Sequence, residues 1–147
     1  MPQFAPYEMG QTLYLLQQDF QKRLDRVLER GGFAGIRSRH RAVFMHLDRH
    51  GASRSVDLAA AAGIRAQSMM KIVHELEALG LVARSTDPAD SRAKLIEFTP
   101  LGQSQIEQLT RATQTVWDEY AVLAGEDVLD TTFQSLQALL NISQEQS

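Results

Sequence analysis

A short polar segment between Arg65 and Lys71 carries the side chains of this sequence that are best suited to bind nucleic-acid bases. If the segment is helical, Met69 and Ile72 face the core and the remaining side chains face outward. Those outward positions are Arg65, Ala66, Gln67, Ser68, Met70 and Lys71. In a DNA major groove, Arg pairs with guanine, Gln with adenine and Ser with several base edges, whereas Met gives only apolar contact. We expect Lys71 to contact a phosphate.

Further cations flank a stretch that is rich in turn residues. Arg84 precedes this stretch, and Arg92 and Lys94 lie near the tip of the hairpin that it predicts. A side chain at such a tip could enter a minor groove, and narrow A·T-rich minor grooves attract arginine. Arg54 and Ser55, at the beginning of a predicted short helix, complete the candidate DNA contacts.

The distribution of charge separates the middle of the chain from its ends. The 147 residues carry a net charge of −3. Residues 36–94, however, hold ten Lys and Arg against six Asp and Glu, a net charge of +4, while the rest of the chain holds five against twelve, a net charge of −7. A basic middle segment indicates a surface for an anionic partner. On charge alone, a solvated surface with random charge scatter explains the pattern equally well.

Hydrophobic periodicity predicts that helices position these groups. Apolar residues recur at steps of three and four over residues 9–28, which is typical of a long amphipathic helix, and three shorter helices follow before residue 80. Capping residues and glycines mark their ends: Gly31-Gly32 ends the first, Ser38 caps the second and His50-Gly51 ends it, Ser55 caps the third and Gly63 ends it, and Gly80 ends the fourth, which runs over residues 66–79. On the fourth helix we interpret Glu75 and Glu77 as solvated charges.

The pattern then changes from helical steps to short apolar runs. Leu81–Arg84 and Leu95–Phe98 are predicted strands. Residues 85–94 between them contain turn-favouring Asp and Pro, which predicts a hairpin with a long, polar, basic tip. Thr99-Pro100 predicts the start of a long fifth helix, because a hydroxyl N-cap is followed by proline at the first helical position. Gly125 separates this helix from a sixth.

Composition excludes several classes of protein. The absence of cysteine removes disulfides, thiolate nucleophiles, cysteine-based zinc sites and thiol-based redox sensing, and it fits a reducing compartment. We see no signal peptide and no apolar run of about 20 residues that would cross a bilayer, so we expect a cytoplasmic protein without a membrane partner. No hydrolase, P-loop, dinucleotide-binding or zinc-protease motif occurs, so we expect neither an enzyme nor a cofactor.

Residues 41–101 resemble the MarR family of bacterial transcriptional regulators. The matching stretches are Asp57–Ala59, Leu76–Arg84 and, above all, Asp87–Gly102. The last of these follows the family's pattern of Asp-x-Arg, alternating apolar residues and Thr-x-x-Gly. Helix-Gly-Leu-Val by itself is common to many winged helices, whereas the complete run in register after it is specific.

The resemblance implies a mainly α fold with a small β-wing, in which a winged helix-turn-helix is joined to a helical dimerisation region. It places an N-terminal dimerisation helix at residues 1–35, the DNA-binding region at 36–99 and C-terminal dimerisation helices at 100–147. The apolar stripes of the terminal helices need a partner surface, which a two-fold symmetric dimer supplies. The alternative, that these helices pack only within one monomer, stays open.

The resemblance also assigns roles to single residues. Arg92 corresponds to the family's wing-tip arginine, and Asp90 is its partner that shapes the wing. Members often carry Ser or Pro near the start of the recognition helix and Ser or Thr in its middle, where this chain has Arg65-Ala66 and Met70. The resemblance therefore predicts no particular DNA target sequence for this chain.

Family members often bind a small aromatic or phenolic molecule between the winged helix and the dimer helices. The residues of this chain that could line such a pocket are Tyr14, His40, Phe44 and Trp117, although an aromatic stripe is more often part of a core. His46 and His50 stand four residues apart, as metal ligands on a helix do, but no third ligand is evident and we predict no metal site.

The sequence thus predicts a homodimeric regulator that binds double-stranded DNA at a pseudo-palindromic operator, most simply a ligand-responsive repressor. Two alternatives keep the same fold. One is a winged helix that binds protein, for which Arg65, Lys71, Arg84, Arg92 and Lys94 would not all be needed. The other is a transcriptional activator or anti-silencer.

Overall fold

The computed structural model describes residues 5–32 and 36–146. The described chain forms six helices and three strands: α1 Pro6–Arg30, α2 Ser38–His50, β1 Ser53–Arg54, α3 Ser55–Ala62, α4 Ala66–Ala78, β2 Val82–Asp87, β3 Asp90–Phe98, α5 Pro100–Ala124 and α6 Glu126–Glu145. The predicted fold class, mainly α with a small β-wing, is confirmed. No helix of the described ranges combines the length and apolar character needed to cross a membrane.

The chain divides into two compact units. The terminal unit contains the described residues up to Val27 and from Arg111 onward, and the winged unit contains Leu28–Thr110. Both α1 and α5 pass from one unit into the other. The domain boundaries expected at residues 35/36 and 99/100 stay predictions.

The core of the winged unit is formed by α2, α3 and α4 with the sheet. Val43, Phe44 and Leu47 of α2 are buried, as are Met69, Ile72, Val73 and Leu76 of α4 and Leu58 of α3. The Phe44 ring stacks on that of Phe98, with 5.5 Å between the ring centroids. The inward positions predicted for Met69 and Ile72 are confirmed, and the other buried residues continue the same apolar faces, because the apolar stripe of a surface helix is the part that it buries.

The three strands form one antiparallel sheet in the order β1-β3-β2. Val82 pairs with Phe98 and Ser53 with Ile96, so β3 is the central strand. The two-residue strand β1 was not predicted, since it is too short to show alternation. We call β2, β3 and the turn between them the wing.

The prediction of a long hairpin tip is wrong. Both strands continue through the polar stretch until Asp87 pairs with Asp90, which leaves only Pro88 and Ala89 in the turn. Polar residues occupy both faces of this part of the hairpin, so that the sequence shows no alternation there. The register shifts between Thr86 and Asp87, which places Arg92 on the irregular part of β3.

Two of the predicted N-caps are also wrong, each by one residue. Helices α2 and α3 begin at Ser38 and Ser55, and the cap positions fall on Arg37 and Arg54, both with extended backbone. At α2 the backbone N–H of the cap residue Arg37 donates a hydrogen bond of 3.0 Å to Nδ1 of His40, three residues later. The predicted helix end at Gly63 is confirmed, and its φ of +66° is the left-handed conformation that glycine adopts most easily.

The junction between the wing and α5 explains the Thr-x-x-Gly pattern. The hydroxyl of Thr99 accepts a hydrogen bond of 3.1 Å from the Gly102 N–H and donates one of 2.5 Å to the carbonyl of Gly80. Gly102 lies so close to the preceding chain that a Cβ built on it would be 1.9 Å from the carbonyl oxygen of Leu81. The predicted cap at Thr99 is confirmed, and the glycine is required by this close approach.

Within the terminal unit, α1 and α5 are joined by a polar cluster. Arg23 donates to Asp19 at 2.7 Å and to Glu119 at 2.9 Å, and the Tyr120 hydroxyl donates to Asp19 at 2.7 Å. Burial and the hydrogen bond to Asp19 raise the pKa of Tyr120 to about 12. The Phe20 ring stacks on that of Tyr120 at 6.5 Å.

Helix α6 has no buried residue. Its exposed apolar side chains are Val128, Phe133, Leu139, Leu140 and Ile142. Phe133 makes an edge-on contact with Trp117 of α5, with 5.5 Å between the ring centroids. An amphipathic helix in this condition leaves its apolar stripe available to another surface.

Candidate nucleic-acid interface

The first two turns of α4 present a polar surface. Met69 is completely buried and Ile72 nearly so, which fixes the helix face that points inward. Arg65, Gln67, Ser68 and Lys71 are exposed, and within the described ranges their side chains form no hydrogen bond or ion pair. Met70 is half-buried. The sequence therefore places polar side chains, free to bind, on a helix that its apolar face holds in position.

The other end of α4 is tied to α2 through Glu75. One carboxylate oxygen of Glu75 accepts from Arg39 Nε at 2.9 Å and from His40 Nε2 at 2.8 Å. These two hydrogen bonds, that of Arg39 first, lower the pKa of Glu75 to about 2. The interpretation of Glu75 as a solvated charge is wrong, because its partners come from a helix 35 residues earlier that sequence spacing does not relate to it.

A second carboxylate ties α4 to the wing. The guanidinium of Arg84 in β2 donates to both oxygens of Glu77, at 2.5 and 3.1 Å. The interpretation of Glu77 as a solvated charge is therefore wrong too. Arg84, a predicted DNA contact, thus donates from two side-chain nitrogens to a carboxylate of its own chain.

The turn of the wing is organised by Asp87. This residue is buried, accepts a hydrogen bond of 2.8 Å from the Ala89 backbone N–H and pairs with Arg54, whose Nε lies 2.8 Å from Oδ2. Hydrogen bonds from Ala89 and then from Arg54 lower the pKa of Asp87, and Asp87 in turn raises that of Arg54. The sequence marked Asp87 only as a turn residue, and no local signal pointed to Arg54 as its partner.

Beyond the turn, Asp90 and Arg92 form an exposed pair. The Asp90 carboxylate accepts from the Arg92 side chain, through Nε at 3.1 Å and Nη2 at 3.4 Å, and from the Arg92 backbone N–H at 3.0 Å, and these contacts lower the pKa of Asp90. The Arg92 side chain is nevertheless 90% exposed. The pairing is the one that the resemblance implies, and it leaves the guanidinium accessible.

The remaining predicted contacts have smaller roles in the structure. Lys94 is exposed and donates to the Thr86 hydroxyl across the hairpin at 3.0 Å. Ser55 is half-buried at the start of α3. Apart from Ser55 and Met70, the predicted DNA contacts therefore fall into two groups: four on α4 without a partner in the described chain, and Arg54, Arg84, Arg92 and Lys94 with partners in the sheet or in α4.

The four candidate effector residues are divided between the two units. Tyr14 is exposed and accepts a hydrogen bond of 2.6 Å from Gln18, and Trp117 lies in the same terminal unit. His40 and Phe44 are buried in the winged unit. An effector pocket that includes these residues stays a prediction.

The rings of His46 and His50 are 4.5 Å apart on α2. Among residues 5–32 and 36–146, no group of three His, Cys, Asp or Glu side chains is placed to hold a metal ion.

Comparison with known proteins agrees with the geometry of the winged unit. The sequence model of the MarR family matches residues 34–93. No curated protein matches this chain.

Solved structures extend the similarity to the whole fold. A MarR family protein from Bacillus stearothermophilus is 17% identical over 98% of this chain and 99% of its own, with a TM-score of 0.82. Wild-type MarR from E. coli in its apo form is 19% identical over 94% and 99%, with a TM-score of 0.77. The transcriptional regulator Tm0710 from Thermotoga maritima is 20% identical over 95% and 96%, with a TM-score of 0.66. Residues 34–93 therefore match the MarR family by sequence, and the chain as a whole has the fold of these solved structures.

Proposed function

We propose that this protein is a sequence-specific regulator of transcription that binds double-stranded DNA as a homodimer. The observation that supports this most directly is the exposed row of Arg65, Gln67, Ser68 and Lys71 on α4 without partners in the described chain. Such side chains keep their hydrogen-bonding capacity for another molecule. Base edges of the major groove match Arg, Gln and Ser, and a helix fits that groove.

The wing gives this surface a second point of contact. Within the described residues, the 90% exposed side chain of Arg92 pairs with Asp90 alone, so a phosphate or a narrow minor groove can replace that carboxylate at small cost. Arg92 and the α4 row then serve different purposes. The wing secures position on the backbone, and α4 reads sequence.

Dimerisation follows from the exposed apolar side chains of α6. A second copy of the chain supplies a matching stripe through a two-fold axis, as symmetric oligomers do. Two recognition helices then meet successive major grooves on one face of the duplex, about 10 base pairs apart. The operator should accordingly be a pseudo-palindrome.

Repression and ligand response complete the proposal. A dimer bound across a promoter blocks transcription, and a small aromatic or phenolic effector releases it by favouring a different separation of the two α4 helices. The effector must bind the DNA-free form more tightly, because equal affinity for both forms shifts nothing. A bacterial regulator of this kind works in the cytoplasm, and no part of its action is enzymatic.

Selection of bound duplexes from a random pool tests the proposal. We expect an inverted repeat whose half-sites are about one helical turn apart. The variant Gln67→Ala/Lys71→Ala, which removes two exposed side chains without touching the core, should lose that enrichment. Failure of the wild-type protein to enrich any sequence, together with no binding to random duplex at low salt, would reject DNA binding and favour a protein partner.

A further inference from the structure

The end of β1 is attached to the turn of the wing by one ion pair. Arg54 donates from Nε to Oδ2 of Asp87 at 2.8 Å, and its Nη2 contacts the same oxygen. The Asp87 side chain is 10% exposed and that of Arg54 39%. For comparison, the Arg92 side chain beside Asp90 is 90% exposed. The Arg54–Asp87 pair is therefore more enclosed than the Arg92–Asp90 pair on the other side of the turn.

The two carboxylate oxygens of Asp87 have different partners. Oδ1 accepts the Ala89 backbone N–H at 2.8 Å and so closes the two-residue turn, while Oδ2 receives Arg54. A carboxylate that accepts a backbone N–H within a turn restricts the conformation of that turn. Arg54 thus binds Asp87, the side chain that also shapes the tip of the wing.

Arg54 also has a defined place in the helix-turn-helix. It pairs with Leu95 in the β1–β3 ladder, and it occupies the cap position of α3. The ion pair therefore joins the first turn of α3 to the tip of the wing, a span of 33 residues in sequence. The raised pKa of Arg54 and the lowered pKa of Asp87 agree with a pair in which each partner favours the charged form of the other.

We propose that Arg54 is a positioning residue, which acts through Asp87 to hold the wing at a fixed distance from α3 and does not itself contact phosphate. The inference rests on the proposed DNA binding and changes the role that the sequence assigned to Arg54. A phosphate would have to displace a carboxylate that Arg54 contacts through two nitrogens and that is already largely removed from water. Arg92 also contacts a carboxylate through two nitrogens, but at 3.1 and 3.4 Å and with a side chain that is 90% exposed, so a phosphate displaces Asp90 more easily.

Variants of the two partners separate positioning from direct contact. If Arg54 only positions the wing, Arg54→Gln and Asp87→Asn should each weaken binding to the selected operator by about tenfold, and the double variant should be no weaker than either, because the two act as one unit. The slope of log affinity against log salt should stay unchanged. Asp48→Asn removes an equal charge from an exposed position of α2, where the side chain has no hydrogen bond or ion pair within the described ranges, and it should bind as tightly as wild type or more tightly.

If Arg54 instead contacts a DNA phosphate directly, the two variants should behave in the opposite way. Asp87→Asn would free Arg54 and leave binding unchanged or stronger, and Arg54→Gln would reduce the salt slope by about 1. Either result would overturn the proposal. Arg54→Lys retains the charge with a different donor geometry and serves if Arg54→Gln does not fold; positioning predicts weakened operator binding for it as well.

A measurement without DNA keeps this inference separate from the proposed function. In the DNA-free protein, Arg54→Gln should accelerate amide hydrogen exchange in residues 82–98 and leave α6 unchanged. Exchange in the wing equal to that of the wild type would contradict positioning even if the protein binds DNA. Faster exchange in a protein that binds no duplex would support the positioning role of Arg54 and would reject the proposed function.

Discussion

His40 of α2 donates the proton of its Nε2 to the carboxylate of Glu75 on α4, across 2.8 Å. The direction follows from the other ring nitrogen, because Nδ1 accepts the Arg37 backbone N–H and therefore carries no proton. One buried imidazole thus accepts a hydrogen bond from the cap residue of α2 and donates another to α4. The orientation of the helix proposed to read DNA depends on this link as well as on its apolar face.

The link between His40 and Glu75 predicts acid sensitivity. The pKa of Glu75 is lowered to about 2, so its ionised form stabilises the fold above the ordinary carboxyl pKa and this stabilisation is lost as the pH falls from about 4.5 to about 2. Glu75→Gln should therefore lower the free energy of unfolding at pH 7, and the difference from wild type should shrink over that range. Urea unfolding at a series of pH values measures it.

Glu97→Gln is the matched control for this experiment. Glu97 is an exposed carboxylate of β3 whose side chain has no hydrogen bond or ion pair within the described ranges. Its replacement should change the stability little at any of these pH values. A Glu75→Gln deficit that stays the same from pH 7 to pH 2 would contradict the role of the ionised carboxylate.

The contact between Gly102 and the Leu81 carbonyl predicts intolerance of a methyl group. In Gly102→Ala the new Cβ would stand 1.9 Å from a backbone oxygen, so α5 or the end of the wing must move. We expect a loss of about 1–3 kcal/mol in the free energy of unfolding, as for other overpacked sites. Gly10→Ala in α1 meets nothing within 4 Å and should gain about 0.5–1 kcal/mol from helix propensity. Equal stability of the two variants would contradict the close approach.

The helices were predictable because their apolar residues recur at helical spacing, whether that stripe is buried, as in α2 and α4, or exposed, as in α6. The buried apolar residues of α2 and α4 stand at this spacing, and Thr99 and Gly63 mark a helix start and a helix end, the first through its hydroxyl and the second through its left-handed backbone. What the sequence could not supply are pairings between distant segments. Asp87 and Arg54 are 33 residues apart, and neither belongs to a periodic pattern.

The candidate site shows the same division. The unpartnered row on α4 follows from the core positions Met69 and Ile72, since outward side chains are those that the apolar face leaves over. Whether a basic residue is free or engaged depends on where a carboxylate of another element stands. Residue type made Arg65 and Arg84 equal candidates, and among the residues that the structure describes only Arg84 has a partner.

The cap at Thr99 predicts a specific rescue. Thr99→Ala removes the acceptor of the Gly102 N–H and the donor to the Gly80 carbonyl, and we expect a loss of about 1 kcal/mol in the free energy of unfolding. Thr99→Ser keeps the hydroxyl and should retain most of the stability. Denaturant unfolding of the pair measures the difference, and a serine variant as unstable as the alanine variant would show that the hydroxyl is not responsible.

The exposed row on α4 predicts separate roles for two cations. Lys71→Gln should weaken binding to operator and random duplex alike and reduce the slope of log affinity against log salt by about 1, because lysine acts as a phosphate contact. Arg65→Gln should weaken operator binding more than random binding if Arg65 reaches a base edge. Fluorescence anisotropy over a salt series gives both values.

Arg111→Gln provides the control for charge alone. Arg111 is an exposed cation of α5 in the terminal unit. Its loss changes the net charge by the same amount as that of Lys71 and should leave the slope unaltered. Equal slopes for Lys71→Gln and the wild-type protein would remove Lys71 from the interface.

The exposed apolar residues of α6 predict a dimer that a single charge disrupts. Leu139 is 55% exposed in one chain, and burying a leucine side chain stabilises an interface by about 1.5–3 kcal/mol. A two-fold interface contains each residue twice, so Leu139→Glu should raise the dimer dissociation constant by about a hundredfold or more. Gln137→Glu introduces the same charge two residues away, on a different side of the helix, and should leave dimerisation intact. Sedimentation velocity over a range of concentrations distinguishes the outcomes: a monomeric wild-type protein, or two variants that dimerise equally well, would mean that α6 is not the dimer surface.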